Sequence, residues 1–513
     1  MKITKISRGS VFYSLSAIAA SNTLLQLLGF FYRIFLSRMT DAEGLGVYQL
    51  VMPFYSVISS LCLSGLTVAV ARISAARAAT GDFCGARRTV SLSRRVFFIS
   101  VFAVAAIVLP RARNVAEAAL GEARCAPALP FVFVCLFLTG IENIYKNYFY
   151  GVGRVAPQIA SELSEQIIRA LAVAALLIFF RADDPGTCAM LIFIGMVISE
   201  LFSSSLLSLF YLPEKKRLSS KPKKPSRLRE LLAVSIPVSA AATVNNLLSS
   251  LNSVLIPLRL RAAGATVRAS TEALGVMFGM TMPLLSLPIA FIASLTSIMV
   301  PRVSEALAAG NISDIRRKAG KTIHATGLLA MPCIAVMIPL GEDICRLIFS
   351  HESAGAFMLP LCIGTLFSYY ELTTGALLNG IGMQTRAAVY IVISGIIQLI
   401  FTWCIGICGF GMRAFVLGYA VSNGIGAVLN TVCLVRRLGL RLRFGNWIFT
   451  PLICSVLSAL VCNIVYGELC FRAISPTAAL AISAAAGIGT YALSLSALGT
   501  SITRYIKTLI PSR

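Results

Sequence analysis

Seven ionisable side chains fall inside long apolar stretches of the sequence: Glu142, Lys146, Glu162, Glu165, Arg169, Glu200 and Glu371. Arg33 stands at the end of another such stretch. A charge in hydrocarbon is costly unless it is paired or wetted, so such residues mark an ion, proton or substrate path. Glu142 with Lys146, and Glu165 with Arg169, stand four apart on one helical face and can neutralise each other, which is the structural alternative to a role in a cavity. Glu371 has no basic residue within a helical turn on its own stretch. Glu142 and Glu371 are therefore the candidates for coupling to a cation, and Arg33, Lys146 and Arg169 are candidates for holding an anionic substrate.

Other chemistries find little support. There are two histidines, His324 and His351, with no Ser/His/Asp or zinc-type arrangement around them, so no catalytic residue is assigned. No phosphate loop of the G-x-x-x-x-G-K-[ST] kind occurs. The fourteen cysteines are scattered without C-x-x-C pairs, which predicts neither a metal site nor a disulfide framework, and no cofactor is expected. Gly151-x-Gly153 and Gly380-x-Gly382 follow no strand, and tight turns at helix ends explain them better than a phosphate cradle.

The elements that position these residues follow from composition. Of 513 residues 57% are hydrophobic and 13% charged, and the mean hydropathy is +0.83; a soluble domain has about a quarter of its residues charged. Apolar stretches long enough to cross a hydrocarbon core as helix recur from end to end. The pattern predicts an all-α integral membrane protein of about fourteen transmembrane helices, over 10–32, 46–71, 96–110, 126–150, 157–180, 187–212, 231–258, 274–300, 322–340, 354–378, 387–407, 412–435, 446–466 and 476–497. Lys2, Lys5 and Arg8 before the first stretch resemble a signal peptide, but the apolar run continues to about Tyr32 without a polar cleavage region and reads as a retained helix.

The formal charge of +24 is spread over many short loops, with no aromatic-interleaved basic domain, so nucleic acid is not an expected partner. With the N-terminus in the cytosol, the inner segments hold 31 Lys and Arg and the outer ones 12. That bias orients the chain in the plasma membrane with both termini cytosolic. Eight of the inner charges lie in residues 213–230, a Pro- and Lys-rich break between the sixth and seventh predicted spans that reads as a cytosolic linker.

A shift of 229 residues superposes several uncommon positions. Glu43 falls on Glu272, Gly81 on Gly310, Glu142 on Glu371, and Gly151-x-Gly153 on Gly380-x-Gly382. One shift explaining all of these indicates a duplication. Six spans per copy is an even number, so the copies are parallel repeats, an arrangement found in transporters with a substrate site near mid-membrane. The predicted organisation is a first six-helix lobe over 1–212, the linker 213–230, a second six-helix lobe over 231–435, and two extra C-terminal helices with a cytosolic tail over 436–513.

The run Gly29-Phe-Phe-Tyr-Arg-Ile-Phe-Leu-Ser-Arg38, the run Glu43-Gly-Leu-Gly-Val-Tyr-Gln49 and above all the segment from Met282 to Glu305 resemble the stage V sporulation protein B family. That family belongs to the polysaccharide-transporter branch of the multidrug/oligosaccharidyl-lipid/polysaccharide exporter superfamily, and it is related to the lipid II flippases. The resemblance implies two lobes that rock around a cationic cavity, a groove for a lipid tail on helices 13 and 14, and an undecaprenyl-linked saccharide as substrate. Arg33 best matches a cavity arginine of the lipid II flippases. Those flippases also carry an arginine inside helix 8, whereas residues 274–300 here contain no Lys or Arg. An anion contact from the second lobe then requires Arg259 or Arg261, at the end of the seventh predicted span, to reach inward.

The expected function is flipping of a lipid-linked oligosaccharide or peptidoglycan precursor across the bacterial plasma membrane by alternating access, without enzymatic activity. The head group would cross in a wet cavity while its tail stays among membrane lipids. Two rivals are a cation-coupled drug antiporter of the same superfamily and a non-transporting scaffold that recruits cell-wall synthesis or spore-coat enzymes through its basic loops.

Overall fold

The computed structural model describes residues 8–180, 184–217, 228–351, 353–407, 409–441 and 445–499. Most of the predicted linker and the C-terminal tail lie outside the described residues. Among those described every regular element is helical. The chain divides into two compact units, Met1–Gly279 and Met280–Arg513.

The first unit contains α1 (Arg8–Met39), α2 (Ala42–Ala79), α3 (Phe83–Leu120), α4 (Ala123–Gly151), α5 (Ala156–Phe179), α6 (Pro185–Arg217), α7 (Leu228–Ala262) and α8 (Val267–Leu274). Its interior is a cluster of large side chains, including Leu66, Phe97, Tyr148 and Phe149, packed between α2, α3 and α4. Within a bilayer apolar burial does not drive helices together, so close approach over small residues has to do so. Gly140 of α4 shows this, because a Cβ there would sit 2.0 Å from the Phe97 ring of α3. α2 widens into a π-helical turn at Ser60–Ser64, two turns after Pro53 has removed a backbone donor. Just beyond, the Gly65 amide donates to Ser239 Oγ of α7 at 3.0 Å. α7 and α8 thus pack against α2 inside the first unit. The limit of compact contact at Gly279 and the predicted limit of the first lobe at residue 212 are different lines along the chain.

The second unit holds α9 (Leu287–Ala308), α10 (Ile312–Phe349), α11 (Met358–Gly380), α12 (Gln384–Gly406), α13 (Met412–Leu438), α14 (Gly445–Phe471) and α15 (Pro476–Ala497). α11 packs on α13, and α14 and α15 pack on each other and on α10. Leu328 and Met331 of α10 meet Cys454, Tyr491 and Leu495 in one buried cluster, so the two C-terminal helices are anchored through α10.

Among the described residues eleven helices are long and apolar enough to cross a membrane. The three other predicted spans coincide with α1, α5 and α11, of 32, 24 and 23 residues. α5 and α11 are the more polar because they carry Glu162, Glu165 and Arg169, and Glu371.

Positions related by the shift of 229 share a backbone conformation. Gly81 and Gly310 have φ of 72° and 67°, and Gly153 and Gly382 have φ of 77° and 79°. Each closes a helix in the left-handed conformation that only glycine adopts cheaply. The residues after the first pair, Asp82 and Asn311, cap the next helix by accepting from Gly85 N at 2.9 Å and Asp314 N at 3.0 Å. These glycines are turn formers, in keeping with the sequence reading.

Candidate functional site

α4, α5 and α6 bring the intramembrane charges of the first unit together. The i to i+4 spacing places Lys146 Nζ 2.8 Å from Glu142, and α5 adds Glu165 at 3.4 Å and Glu162 at 3.8 Å. Arg169 continues the chain, paired with Glu165 on its own helix and with Glu200 of α6 at 3.5 Å. Glu142 is 1% exposed and also accepts hydrogen bonds from Ser161 Oγ at 2.9 Å and from Ser203 Oγ. Carboxylate atoms of Glu142, Glu165 and Glu200 lie within 4.8 Å of one another, a spacing that suits a cation. Here the Lys146 ammonium and the Arg169 guanidinium supply positive charge to that group. The network counts four carboxylates and two cations, and Glu200 Oε2 has no hydrogen-bond partner among the described residues.

Arg169 also faces a cavity of about 200 Å³, where Arg33 of α1 joins it. Tyr32, Tyr48, Gln49 and Gln166 complete its polar lining. Tyr32 is 9% exposed, and its hydroxyl makes no hydrogen bond among the described residues. A buried hydroxyl left unpaired costs about 1–3 kcal/mol, so it reads as a donor awaiting a partner. Two guanidinium groups, two phenols and two amides around one concave space match the oxygens of a phosphate or carboxylate. Arg33 and Arg169 were legible in the sequence. The tyrosines and glutamines were not, because nothing in their spacing sets them apart from helix-packing residues.

Glu371, the repeat mate of Glu142, has a different setting. It accepts from Ser394 Oγ of α12 at 3.1 Å, and it lies so close to Gly426 of α13 that a Cβ there would stand 2.1 Å from Oε1. No Lys or Arg among the described residues approaches within salt-bridge distance of it. The shift of 229 explains the contrast, since it carries Lys146 to Gly375, Glu165 to Ser394 and Arg169 to Gln398. The second copy keeps the carboxylate and replaces its ionic partners with neutral ones.

Arg261, at the end of α7, is held within the first unit. Its Nη2 lies 2.6 Å from Glu122, its Nη1 donates to the Gly121 carbonyl at 2.9 Å, and its Nε donates to Ser270 Oγ of α8 at 3.0 Å. Glu122 is bound at 2.9 Å by Arg124, which reaches Glu43 at 2.7 Å, and Arg268 closes the row 3.7 Å from Glu43. Burial alone would raise the Glu122 carboxyl, but the hydrogen bonds and charges of Arg124 and Arg261 outweigh it and hold the group below the usual carboxylate range. Arg259, two residues before Arg261, lies about 200° round the helix from it.

The sequence profile described as Polysaccharide biosynthesis protein matches residues 12–307, and the profile described as MatE matches residues 265–404. Stage V sporulation protein B of Bacillus subtilis (strain 168) is 22% identical over 423 residues, which is 81% of each chain. Lipid II flippase MurJ of the same organism is 22% identical over 430 residues, covering 77% of this chain and 76% of the flippase. Among solved structures, an inward-facing multidrug resistance MATE family transporter of the MOP superfamily superposes with a TM-score of 0.66 at 16% identity, over 81% of this chain and 94% of that one. At that identity the likeness shows the fold, a multi-pass helical membrane fold of the MOP type.

Proposed function

Because the chain belongs to the polysaccharide biosynthesis protein family, we propose that it flips an undecaprenyl-linked oligosaccharide or peptidoglycan precursor across the bacterial plasma membrane by alternating access, without enzymatic activity. The observation that carries this reading is the cavity in which Arg33 and Arg169 converge beside the Tyr32 hydroxyl, which has no hydrogen-bond partner among the described residues. A diphosphate head group offers the charge and the paired oxygens that two guanidinium forks bind well. Similarity to a lipid II flippase and the 31 to 12 bias of basic residues toward the proposed cytosolic side support the same assignment. In this reading Lys146 holds Glu142, Glu162 and Glu165 together and so orients Arg169 toward the cavity.

The test is reconstitution in vesicles with a fluorescent undecaprenyl-diphosphate saccharide. Arg33→Ala lowers flipping at least tenfold, and Arg33→Lys restores part of it, because an ammonium is a point charge without the planar fork. Full activity of the alanine variant at normal abundance refutes the assignment and returns Arg33 to an interfacial anchor.

A second reading, cation-coupled antiport, is favoured by the excess of carboxylates over cations around Glu200 and by the neutral setting of Glu371. It predicts substrate movement that requires a proton or sodium gradient. Flipping that proceeds unchanged after the gradients collapse rules it out.

A further inference from the structure

Within the first unit α2 meets α8, and the π-helical turns that follow α8 from Gly275, at backbone distance. A Cβ at Gly275 would stand 2.0 Å from the Ala42 carbonyl oxygen, and one at Gly46 would stand 2.1 Å from that of Thr271. The shift of 229 carries Ala42 to Thr271 and Gly46 to Gly275, so each of these contacts is the other with the two copies exchanged. A third contact obeys the same relation. Gln49 Nε2 donates to the Phe278 carbonyl at 3.4 Å, and these two residues are themselves 229 apart. A residue touches its own symmetry mate only beside a two-fold axis, so α2 and α8 pack as the two halves of an isologous contact do.

This seam borders the cavity of Arg33 and Arg169. Leu45, Tyr48 and Gln49 of α2 line that cavity together with Gly279, where a Cβ would lie 2.2 Å from Leu45 Cδ2. The first turns of α2 and α8 belong to the side that the bias of basic residues assigns to the outer face. There the row Arg261–Glu122–Arg124–Glu43–Arg268 runs across the end of the seam. Its acidic members, Glu43 and Glu122, come from the predicted first lobe, and Arg261 and Arg268 come from the predicted second. The row has no counterpart under the shift, which carries Glu122 to His351 and Arg124 to Ser353 and returns Arg261 and Arg268 to Tyr32 and Met39. A symmetric seam is thus fastened by charges that follow no such symmetry.

Such a joint is built to part. Small residues let two backbones meet without interlocking side chains. The arginines of the row, 28%, 23% and 75% exposed at Arg124, Arg261 and Arg268, already touch water, so little solvation has to be regained when their pairs separate.

We propose that the seam between α2 and α8 is the outer gate of the Arg33–Arg169 cavity, and that Arg261 and Arg268 latch it shut on Glu122 and Glu43. The proposal rests on the alternating-access reading for the need to open on this side, but its test contains no lipid substrate.

The test follows a cysteine placed in the cavity of the full-length protein in intact cells. Gly29 lines the cavity, and a Cβ there would meet nothing within 4 Å, so Gly29→Cys is tolerated. Cys470→Ser removes an exposed native thiol, and the same chain without Gly29→Cys gives the background. The probe is sulfonatoethyl methanethiosulfonate, which is anionic and does not cross the membrane. The expected result is slow labelling in the parent and labelling at least threefold faster with Glu122→Gln or with Arg268→Gln, whereas Arg268→Lys keeps the parent rate. Arg113→Gln, which breaks an ion pair with Glu117 inside α3, leaves the rate unchanged. Should Glu122→Gln fail to accumulate, the exposed Arg268 decides the matter alone. Unchanged labelling in the neutral variants, equal acceleration by Arg113→Gln, or rapid labelling of the parent overturns the gate. Glu117→Cys reports the sidedness, and its protection from the probe overturns the outer assignment. Failure to flip lipid in vesicles with these labelling rates intact refutes the flippase reading and leaves the gate standing.

Discussion

Replacement of Arg261 by alanine tests the row of charges that ties the end of α7 to the residues just before α4. The Arg261–Glu122 contact is 2.6 Å long, with the two side chains 23% and 7% exposed. Two unit charges about 4 Å apart attract by about 4 kcal/mol at an effective dielectric constant of about 20. Desolvation takes back part of that, and removing one partner of a buried pair costs about 3–5 kcal/mol when the other is stranded. Glu122 is not stranded here, because Arg124 still binds it at 2.9 Å. The expected loss for Arg261→Ala is therefore smaller, about 1–2 kcal/mol. Glu122→Ala takes a partner from both arginines, although Arg124 keeps Glu43 and Arg261 keeps the Gly121 carbonyl, so the expected loss is about 2–3 kcal/mol. The double variant should lose less than the sum of the two, by about 1 kcal/mol of coupling. The pH dependence has a definite sign. Glu122 is held below the ordinary carboxylate range in the folded protein, so its contribution is fully present above that range and disappears as the pH falls through the folded value. The stability gap between wild type and Arg261→Ala is then constant from about pH 6 to 8 and narrows only below about pH 4.3. Thermal unfolding of detergent-purified single and double variants at neutral and acid pH measures all three quantities. Strict additivity, or a gap that widens on acidification, refutes the ionic account of how α7 is held.

The duplicated carboxylates separate by substitution with glutamine. If Glu371 couples transport, Glu371→Gln inserts normally and loses gradient-dependent transport, and wild-type transport across pH 6 to 8 assigns it a structural role instead. Glu142→Gln lowers thermal stability, because Lys146 loses its 2.8 Å partner, but it leaves coupling intact, since Glu162 and Glu165 still hold the ammonium. Gly153→Ala and Gly382→Ala each cost about 1–2 kcal/mol from the left-handed backbone alone. An added methyl would meet nothing within 4 Å at either site, so an unchanged melting temperature would contradict the turn geometry. Cysteines placed in residues 213–229 and in the C-terminal tail should be shielded from an impermeant external reagent in intact cells, and labelling of either reverses the proposed topology.

How much of this protein was legible beforehand follows from the range of the forces involved. A helix crossing hydrocarbon must satisfy its backbone within itself, so the positions of the helices appear as uninterrupted apolar length. The pairs Glu142–Lys146 and Glu165–Arg169 were readable for a similar reason, since four residues along a helix is a distance set by the backbone alone. The shift of 229 was readable because glycines at positive φ and their caps tolerate few replacements, and Gly81, Gly153, Gly310 and Gly382 all have positive φ. Contacts between helices were not readable. Arg261 meets Glu122 across 139 positions, and Arg124 meets Glu43 across 81, and no spacing rule spans such separations. Arg169 was expected to neutralise Glu165, but only the packing of α1 and α6 against α5 makes it reach Glu200 and share a cavity with Arg33. The limit of the first unit was hidden for the same reason. The linker at 213–230 is where the composition changes, whereas compact contact is decided by where α7 and α8 pack, and they pack on α2. Apolar periodicity states that a face must be buried or wetted by lipid; which helix buries it depends on the crossing angles and small-residue contacts that the folded chain alone supplies.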